Sequence, residues 1–461
     1  MRRREFLAGA VGTAAFAAAP PVRPNVIWIF GDQHRGQAMG CAGDPNVATP
    51  NLDAMAAQGV RFTGAVSGMP LCCPARGSFL TSLYPHQCVP GHEYPLPAGQ
   101  KTIANVFNDA GYATAYFGKW HLAGFHESEG RSAMRIVPPD RRGGFQTWVG
   151  YDNNNSQYDC WVHGGAGKDA FQYRLPGYET DELSNLLIRY IKHRPNEKPF
   201  FAALSVQPPH DPYVAPAEFM QRHTPGRIEL RQNVPNVASV TEPARRWLAG
   251  YYAQIENLDW NIGRIRRAID EAGIGFNTHI VFFSDHGDMQ GSHGQFKKMT
   301  AYEEAIRIPF IIGGGQPQGY EGWSMGHYGV PLNHVDIPAT TLGLCGIARP
   351  EWMRGTDYSQ YRVKRARAAG PEPDSAYLQS VVPTGHGDSV DKPWRGIVTK
   401  DGWKYVCFEG ISWLMFHLAE DPYEQVNLAH NSKYRAERAR LTARLRQWVA
   451  DTGDQFPVPQ A

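Results

Sequence analysis

The stretch Asn25-Val26-Ile27-Trp28-Ile29-Phe30-Gly31-Asp32-Gln33 decides how this chain folds. Its apolar run is short, rich in β-branched and aromatic residues and closed by a glycine, which predicts a buried strand of a parallel sheet. Such a strand delivers Asp32 and Gln33 to its carboxyl end, the edge at which open α/β sheets bind ligands. The same arrangement recurs downstream. Ala113 to Phe117 leads into Gly118-Lys119-Trp120-His121, Phe200 to Val206 into Gln207-Pro208-Pro209-His210-Asp211-Pro212-Tyr213, and His279 to Ser284 into Asp285-His286-Gly287. Between them, residues 245–272 carry Leu248, Tyr252, Ile255, Leu258, Ile262, Ile265 and Ile269 at steps of three and four, the stripe of a helix packed on a sheet. Thr49-Pro50-Asn51-Leu52-Asp53 predicts another helix, with Thr49 as N-cap and Pro50 in the first turn. Strands alternating with helices predict an α/β fold built on a large doubly wound mixed sheet with helices on both faces.

A second stretch carries the chemistry: Pro70-Leu71-Cys72-Cys73-Pro74-Ala75-Arg76-Gly77-Ser78-Phe79-Leu80-Thr81-Ser82. It reads as a helix start, so the side chain of Cys72 faces the positive end of that helix, a place to hold an anion. By itself the Cys72-Cys73 pair fits a thiolate nucleophile, a redox pair or buried packing. Asp32, Gln33, Asp285 and His286 come from two distant strand ends that an α/β sheet can bring together. Three oxygen-bearing side chains and one imidazole are the donor set of a divalent-cation site in which hard oxygen ligands favour Ca2+ or Mg2+ and the imidazole keeps Mn2+ open.

C-x-P-x-R followed by Leu80-Thr81 resembles the signature of the type I sulfatases, members of the alkaline phosphatase-like superfamily. In that family the first cysteine of the motif is oxidised to formylglycine. Ala75 stands where many members carry serine, Ser82 where many carry glycine, and Gln33 where many carry a second aspartate. Asp32, the Cys72 motif, Gly118-Lys119-Trp120-His121, Pro208-Pro209-His210 and Ser284-Asp285-His286-Gly287 stand in the family's order. Lys298 before Tyr302-Glu303-Glu304, and Asp421-Pro422-Tyr423-Glu424-Gln425-Val426-Asn427-Leu428, extend the likeness almost to the end.

The resemblance implies a cation, usually calcium, held by Asp32, Gln33, modified Cys72, Asp285 and His286, with Gln33 either a weak ligand or one step removed. It implies hydrolysis of a sulfate monoester; export, expected from the N-terminal stretch described below, suits scavenging of polysaccharide fragments and favours a glycan sulfate over an aryl or choline ester. A formylglycine hydrate at position 72 offers one hydroxyl that the cation acidifies into a nucleophile and a second that expels sulfate. Arg76 orients the hydrate, and Lys119 and Lys298 hold the sulfate oxygens. His121 triggers collapse of the intermediate and His210 protonates the leaving group, two roles that sequence leaves interchangeable. His86, His92, His293 and Asn153 are further candidates for the substrate side. A hydrolase of phosphonate monoesters or phosphodiesters on the same scaffold, and a silent relative that binds sulfated glycans with Cys72 left as a thiol, are the alternatives.

The bulk composition fits this picture. The chain has 461 residues, a net charge of +2 and no basic block interleaved with aromatics, which argues against a nucleic-acid partner. Its 48 glycines and 35 prolines predict a loop-rich body, and loops on a rigid scaffold are where active sites sit. The seven cysteines show no C-x-x-C spacing, so neither a zinc ribbon nor a thioredoxin motif is indicated. Arg3-Arg4-Glu5-Phe6-Leu7 followed by an Ala/Gly-rich run resembles a twin-arginine signal peptide over residues 1–19, implying export to the periplasm or beyond. That run is too short to span a membrane, and no cysteine follows it to carry a lipid anchor. The expected partners are a small-molecule or oligosaccharide sulfate ester and, during maturation, a formylglycine-generating enzyme.

A catalytic domain is expected over 20–374 and a small α+β subdomain over 375–461. In the latter, Trp394–Thr399, Trp403–Phe408 and Ser412–His417 predict an antiparallel meander and Tyr434–Asp451 an amphipathic helix with a solvated arginine face. Residues 350–390 are loop-like in composition.

Overall fold

The computed structural model describes residues 23–194, 198–315, 324–364, 371–383 and 390–460; the twin-arginine stretch lies outside them. The strands in chain order are β1 (Asn25–Gly31), β2 (Val60–Phe62), β3 (Ala65–Val66), β4 (Ala113–Lys119), β5 (Thr147–Tyr151), β6 (Trp161–Gly164), β7 (Phe171–Arg174), β8 (Phe200–Val206), β9 (Thr278–Ser284), β10 (Phe310–Gly314), β11 (Gly326–Tyr328), β12 (Leu332–Asn333), β13 (Ser375–Ser380), β14 (Trp394–Thr399), β15 (Trp403–Phe408) and β16 (Ile411–His417). Ten of them form one mixed sheet in the order β11-β2-β10-β9-β1-β8-β4-β5-β6-β7. Its centre, β9-β1-β8-β4-β5, is parallel. Antiparallel β10 and the β6-β7 hairpin flank it.

Strand β1 shows why both faces must be covered. Val26, Trp28 and Phe30 point into one core, with Phe79 and Leu80 of the helix Cys72–Thr81, Ile103 and Phe107 of the helix Ile103–Asp109, and Leu342 of the helix Asp336–Leu344. Ile27 and Ile29 point the other way, onto Leu52 of the helix Pro50–Gln58, Leu187 of the helix Glu179–His193, and Leu258, Ile262 and Ile265 of the long helix Ala238–Glu271. A strand with no polar position inside it is stable only between two such layers. The parallel register places Gly31 beside Val206 and Ser284, and Gly118 beside Ser205, so Asp32, Lys119, Gln207 and Asp285 leave the sheet from one edge.

Three local expectations are corrected. The long helix starts at Ala238 rather than near 245, and runs through Pro243, which forgoes one backbone bond near the helix start. Thr49 occupies the N-cap position without capping: its hydroxyl donates to Asp53 Oδ1, and the free amides of Asn51 and Leu52 instead donate to the carboxylate of Asp259, 3.1 and 2.8 Å away. The loop-like span 350–390 contains β13, a short strand whose alternating side chains Ala376, Tyr377 and Leu378 enter two different cores.

The C-terminal part of the chain forms a four-stranded antiparallel sheet, β13-β14-β15-β16. One face packs Leu378, Trp394, Val406 and Phe416 on Val66, Ala301 and Ile306 of the main body. The other is covered by Leu441 and Leu445 of the helix Arg435–Thr452. Buried Lys404 of β15 pairs with Glu303 and Glu424, and Glu424 accepts from the Glu303 amide at 2.7 Å. The Tyr302-Glu303-Glu304 and Asp421–Leu428 stretches are thus a clamp between body and terminal sheet. No helix among the described residues is long and apolar enough to cross a membrane.

Candidate active site

The carboxyl edge of the sheet and the start of the helix Cys72–Thr81 face each other. Cys72 is the first helical residue and Pro74 lies in the first turn, where a missing amide hydrogen goes unnoticed. Cys72 Sγ lies 3.2 Å from His286 Nε2, 3.4 Å from Asp32 Oδ1 and 3.4 Å from Lys298 Nζ. One turn on, buried Arg76 reaches back beneath this group. Its Nη2 donates to Asp32 Oδ2 at 3.1 Å and Asp285 Oδ2 at 3.2 Å, and its Nη1 to the Lys119 carbonyl and Ser205 Oγ, both at 2.9 Å. Lys119 Nζ pairs with Asp32 Oδ2 at 2.7 Å. Lys298 Nζ also donates to Gln33 Oε1 at 2.8 Å and lies 3.1 Å from His210 Nε2.

Backbone holds these groups in place. Trp120 and His121 amides donate to the carbonyls of Tyr151 and Asp152 at the end of β5, both at 2.7 Å. The Met299 amide donates to the Pro70 carbonyl, tying the Lys298 loop to the approach of Cys72. Gln33 and His121 adopt left-handed backbone, φ 71° and 54°, a conformation rare outside glycine and concentrated at functional sites.

The electrostatics follow from burying these charges together. Burial pushes Asp32 up, but Lys119, His210, Arg76 and Lys298 outweigh it and hold the carboxyl well below its ordinary range. Asp285 goes the other way, pushed up to about 7 by burial and by Asp32 against the pull of Arg76. Burial and the Asp32 charge push the Cys72 thiol up to about 12, so unmodified Cys72 is a poor nucleophile at neutral pH. Burial lowers His121 and His286 well below normal, with Lys119 assisting at His121 and Lys298 at His286, and burial with Lys298 lowers His210 to about 3. Burial opposes the Lys298 charge, but Cys72 and Asp32 raise its pKa overall. The site therefore holds fixed cations and neutral imidazoles around an ionised aspartate, an arrangement made for an oxyanion.

A cleft of about 200 Å³ opens above Cys72, bordered by Lys119, His121, His210 and Lys298. Residues 24–347 match the family described as Sulfatase. The chain belongs to the sulfatase family. It is a sulfuric ester hydrolase. Residues 291–451 match a second family, the C-terminal region of N-sulphoglucosamine sulphohydrolase. The sulfatase is 34% identical over 455 residues to the ulvan-active sulfatase of Formosa agariphila, covering 95% of this chain and 83% of that one. A Bacteroides fragilis structure assigned as the sulfatase yidJ superposes with a TM-score of 0.81 at 26% identity, over 94% of this chain and 97% of the other. A structure solved with its substrate D-glucosamine-2-N,6-O-disulfate has the same fold, with TM-score 0.78 at 22% identity, over 94% and 99% of the two chains.

The sulfatase family generally uses a metal ion and formylglycine, and the residues present fit the ion. Ligand atoms of Asp32, Cys72, Asp285 and His286 lie within 4.8 Å of one another and are all buried. His286 Nδ1 lies 2.9 Å from the Gly287 carbonyl, which fixes its proton there and leaves Nε2 a lone pair facing Asp32 and Cys72. Gln33 is turned aside: its Oε1 accepts from Lys298 and its Nε2 donates to Asp288 Oδ2 at 2.6 Å.

Of the two adjacent lysines, Lys298 enters the site. Lys297 pairs with Asp211 at 2.7 Å and lies over the rings of Tyr213 and Trp247. His92 and Asn153 line the cleft, whereas His86 bonds Gln379 and Thr452, and His293 stacks on Tyr302 against the C-terminal clamp. Glu127, Asn155 and Asp211 also border the cleft. Glu127 opens a one-turn 3-10 helix and Asn155 lies in an irregular loop, neither with a periodicity or motif to single it out. Asp288, which orients Gln33 and Tyr213, and Ser205, which holds Arg76, stood within reach of sequence reading as neighbours of Asp285 and as the end of β8.

Proposed function

We propose that this sulfatase hydrolyses the sulfate monoester of a sulfated glycan, with formylglycine at position 72 and Ca2+ held by Asp32, the residue-72 oxygen, Asp285 and His286, Gln33 standing beside it. One observation carries the reading: Cys72, the single thiol at the cleft floor, is ringed by Asp32, His286 and Lys298 at hydrogen-bond distance. The cation supplies charge neutralisation and acidifies a coordinated hydroxyl. Formylglycine supplies, as its hydrate, a nucleophile for sulfur and a second hydroxyl to release sulfate.

The chain's own residues do the rest. Arg76 spends its guanidinium on Asp32, Asp285 and the Lys119 carbonyl, so it positions the carboxylates and stays off the substrate. Lys119 and Lys298 flank the point where sulfate oxygens sit, and fixed cations in a buried site stabilise charge without reorganising. His121, neutral and bordering the cleft, serves as the base. His210 Nδ1 donates to the Asp211 carbonyl at 2.7 Å, leaving Nε2 to accept from Lys298. A neutral His210 does not act as acid alone, so the Lys298–His210 pair delivers the leaving-group proton.

The glycan assignment draws on the ulvan-active relative and the glucosamine disulfate complex. The twin-arginine stretch supports export, with residues 20–374 as catalytic domain, 375–461 as the C-terminal subdomain and a formylglycine-generating enzyme acting in maturation. The test is turnover of sulfated mono- and oligosaccharides, an aryl sulfate, a phosphodiester and a phosphonate by enzyme whose peptide across residues 71–76 has the mass of the aldehyde. Dominant phosphodiester or phosphonate turnover, or a peptide retaining the thiol mass together with binding but no turnover, rejects the proposal.

A further inference from the structure

We propose that Cys73, His92 and His121 form a second cation site, selective for Zn2+ and similar thiophilic ions, through which such ions inhibit the enzyme. The Sγ of Cys73 and a ring nitrogen from each histidine lie within 4.8 Å of one another, and the group shares no residue with the Asp32, Cys72, Asp285 and His286 group. Cys73 is fully buried and His121 is 4% exposed. Neither ring nitrogen of His121 has a hydrogen-bond partner among the described residues. Leaving a buried polar group unsatisfied costs about 1–3 kcal/mol, so such an imidazole is poised to accept a ligand. The His92 and His121 rings stand perpendicular at 5.7 Å between centroids.

The donor set decides the ion. One sulfur and two imidazole nitrogens suit Zn2+, whereas Ca2+ and Mg2+ require oxygens, so the two neighbouring sites sort cations by hardness. Tetrahedral zinc with bonds of about 2.0–2.3 Å spaces its donors by about 3.3–3.8 Å, a contraction within reach of His92, the half-buried member of the three. Glu93 Oε1 stands 3.7 Å from His92 Nε2, an outer carboxylate of the kind that orients ligating imidazoles. On binding, the Cys73 S–H bond breaks, the proton leaves to solvent and an S–Zn bond forms, with no change of oxidation state. His92 and His121 both border the cleft, so the fourth coordination position opens onto substrate space. An ion there removes the His121 lone pair from the reaction. The other cluster of this type, His293 with Glu304 and Glu424, is already neutralised by Arg231 and Lys404.

The test uses Co2+ as a spectroscopic stand-in, in full-length protein with Ca2+ in excess and with Cys72→Ala, so that Cys73 is the remaining thiol of the motif. One Co2+ per chain is expected, with a thiolate-to-cobalt absorption band that Zn2+ removes. Adding Cys73→Ala abolishes the band and weakens uptake at least tenfold, and His92→Gln weakens uptake at least tenfold. In enzyme carrying formylglycine at position 72, Cys73→Ala raises the half-inhibitory Zn2+ concentration at least tenfold. No band in the Cys72→Ala protein, a band that survives Cys73→Ala, or Zn2+ inhibition indifferent to Cys73→Ala overturns the proposal. The absorption measurement reads the site whether or not any sulfate ester turns over.

Discussion

Replacing Arg76 by methionine tests the electrostatic base of the site. The guanidinium is fully buried and donates to both Asp32 and Asp285, while the Lys119 carbonyl it also contacts keeps the Ser205 hydroxyl at 2.8 Å as a second donor. Asp32 retains Lys119 at 2.7 Å after the substitution, so the penalty falls on Asp285, left in a buried place without its facing cation. Removing one partner of a buried ion pair costs about 3–5 kcal/mol where the other stays charged, and urea unfolding followed by tryptophan fluorescence without divalent cation reads how much of that Arg76→Met loses. The loss depends on pH. Asp285 is pushed up to about 7 with Arg76 present, and losing the guanidinium pushes it further. A carboxyl whose folded pKa lies above its unfolded value contributes stability below the unfolded value and loses it as pH climbs through the folded one. The deficit of Arg76→Met relative to wild type is therefore small at pH 6 and grows by about 1.4 kcal/mol per pH unit above 7, to about 2 kcal/mol at pH 8.5. A cation bound between Asp32 and Asp285 replaces the missing charge, so Ca2+ stabilises the variant more than it stabilises wild type. A deficit below about 1 kcal/mol at pH 8.5 without cation, or equal Ca2+ stabilisation of both proteins, refutes the reasoning.

Lys298→Met is expected to lower kcat/KM about 10²–10³-fold, whereas Lys297→Met, which gives up the Asp211 pair and the Tyr213 and Trp247 ring contacts at the cleft border but no contact with Cys72, changes it less than tenfold; equal losses would contradict the placement of Lys298. Chelation of divalent cations lowers the unfolding free energy of wild type, by about 2.7 kcal/mol relative to cation at a hundredfold excess over its Kd, and abolishes turnover; Ca2+ restores both. His334, lowered by burial to about 4, sits 3.0 Å from the Ser284 carbonyl at the end of β9. Its folded pKa lies below the unfolded value, so its contribution is present at neutral pH and is lost as pH falls from about 6.5 to 4. The stability advantage of wild type over His334→Gln should shrink by about 3 kcal/mol across that interval, and a constant difference in unfolding free energy would exclude it. Gly118→Ala should reduce folded yield and melting temperature sharply, because Gly118 has φ 108° and a Cβ there would overlap the Ser205 carbonyl oxygen.

How much was legible before the fold was known varied with the physics of each segment. Strands β1, β8 and β9 were readable because they are buried on both faces, and a strand so placed must be apolar throughout. The hairpin β6-β7 and the short β13 were not, since edge and half-exposed strands mix polar and apolar residues and are fixed by their partners. The start of the long helix was misplaced because Pro243 mimics a boundary that tertiary packing overrides. At the site, residues tied to strand ends and to the C-x-P-x-R motif could be named from spacing, while Glu127 and Asn155 could not, because residues of loops and one-turn helices reach the cleft by paths that leave no periodic trace.

The linear order of residues by itself determined the α/β class, the family and the types of side chain available for sulfate chemistry. These follow from local patterns of burial and from motif spacing, which need no knowledge of distant contacts. Tertiary structure alone decided which groups meet: that one Arg76 nitrogen bridges two aspartates from strands some 250 residues apart, that Lys298 and not Lys297 reaches Cys72, and that Gln33 turns its amide to Lys298 and Asp288. The protonation states belong to the same level. Asp32 and Asp285 are the same residue type with opposite displacements, and only the cations around each in three dimensions separate them.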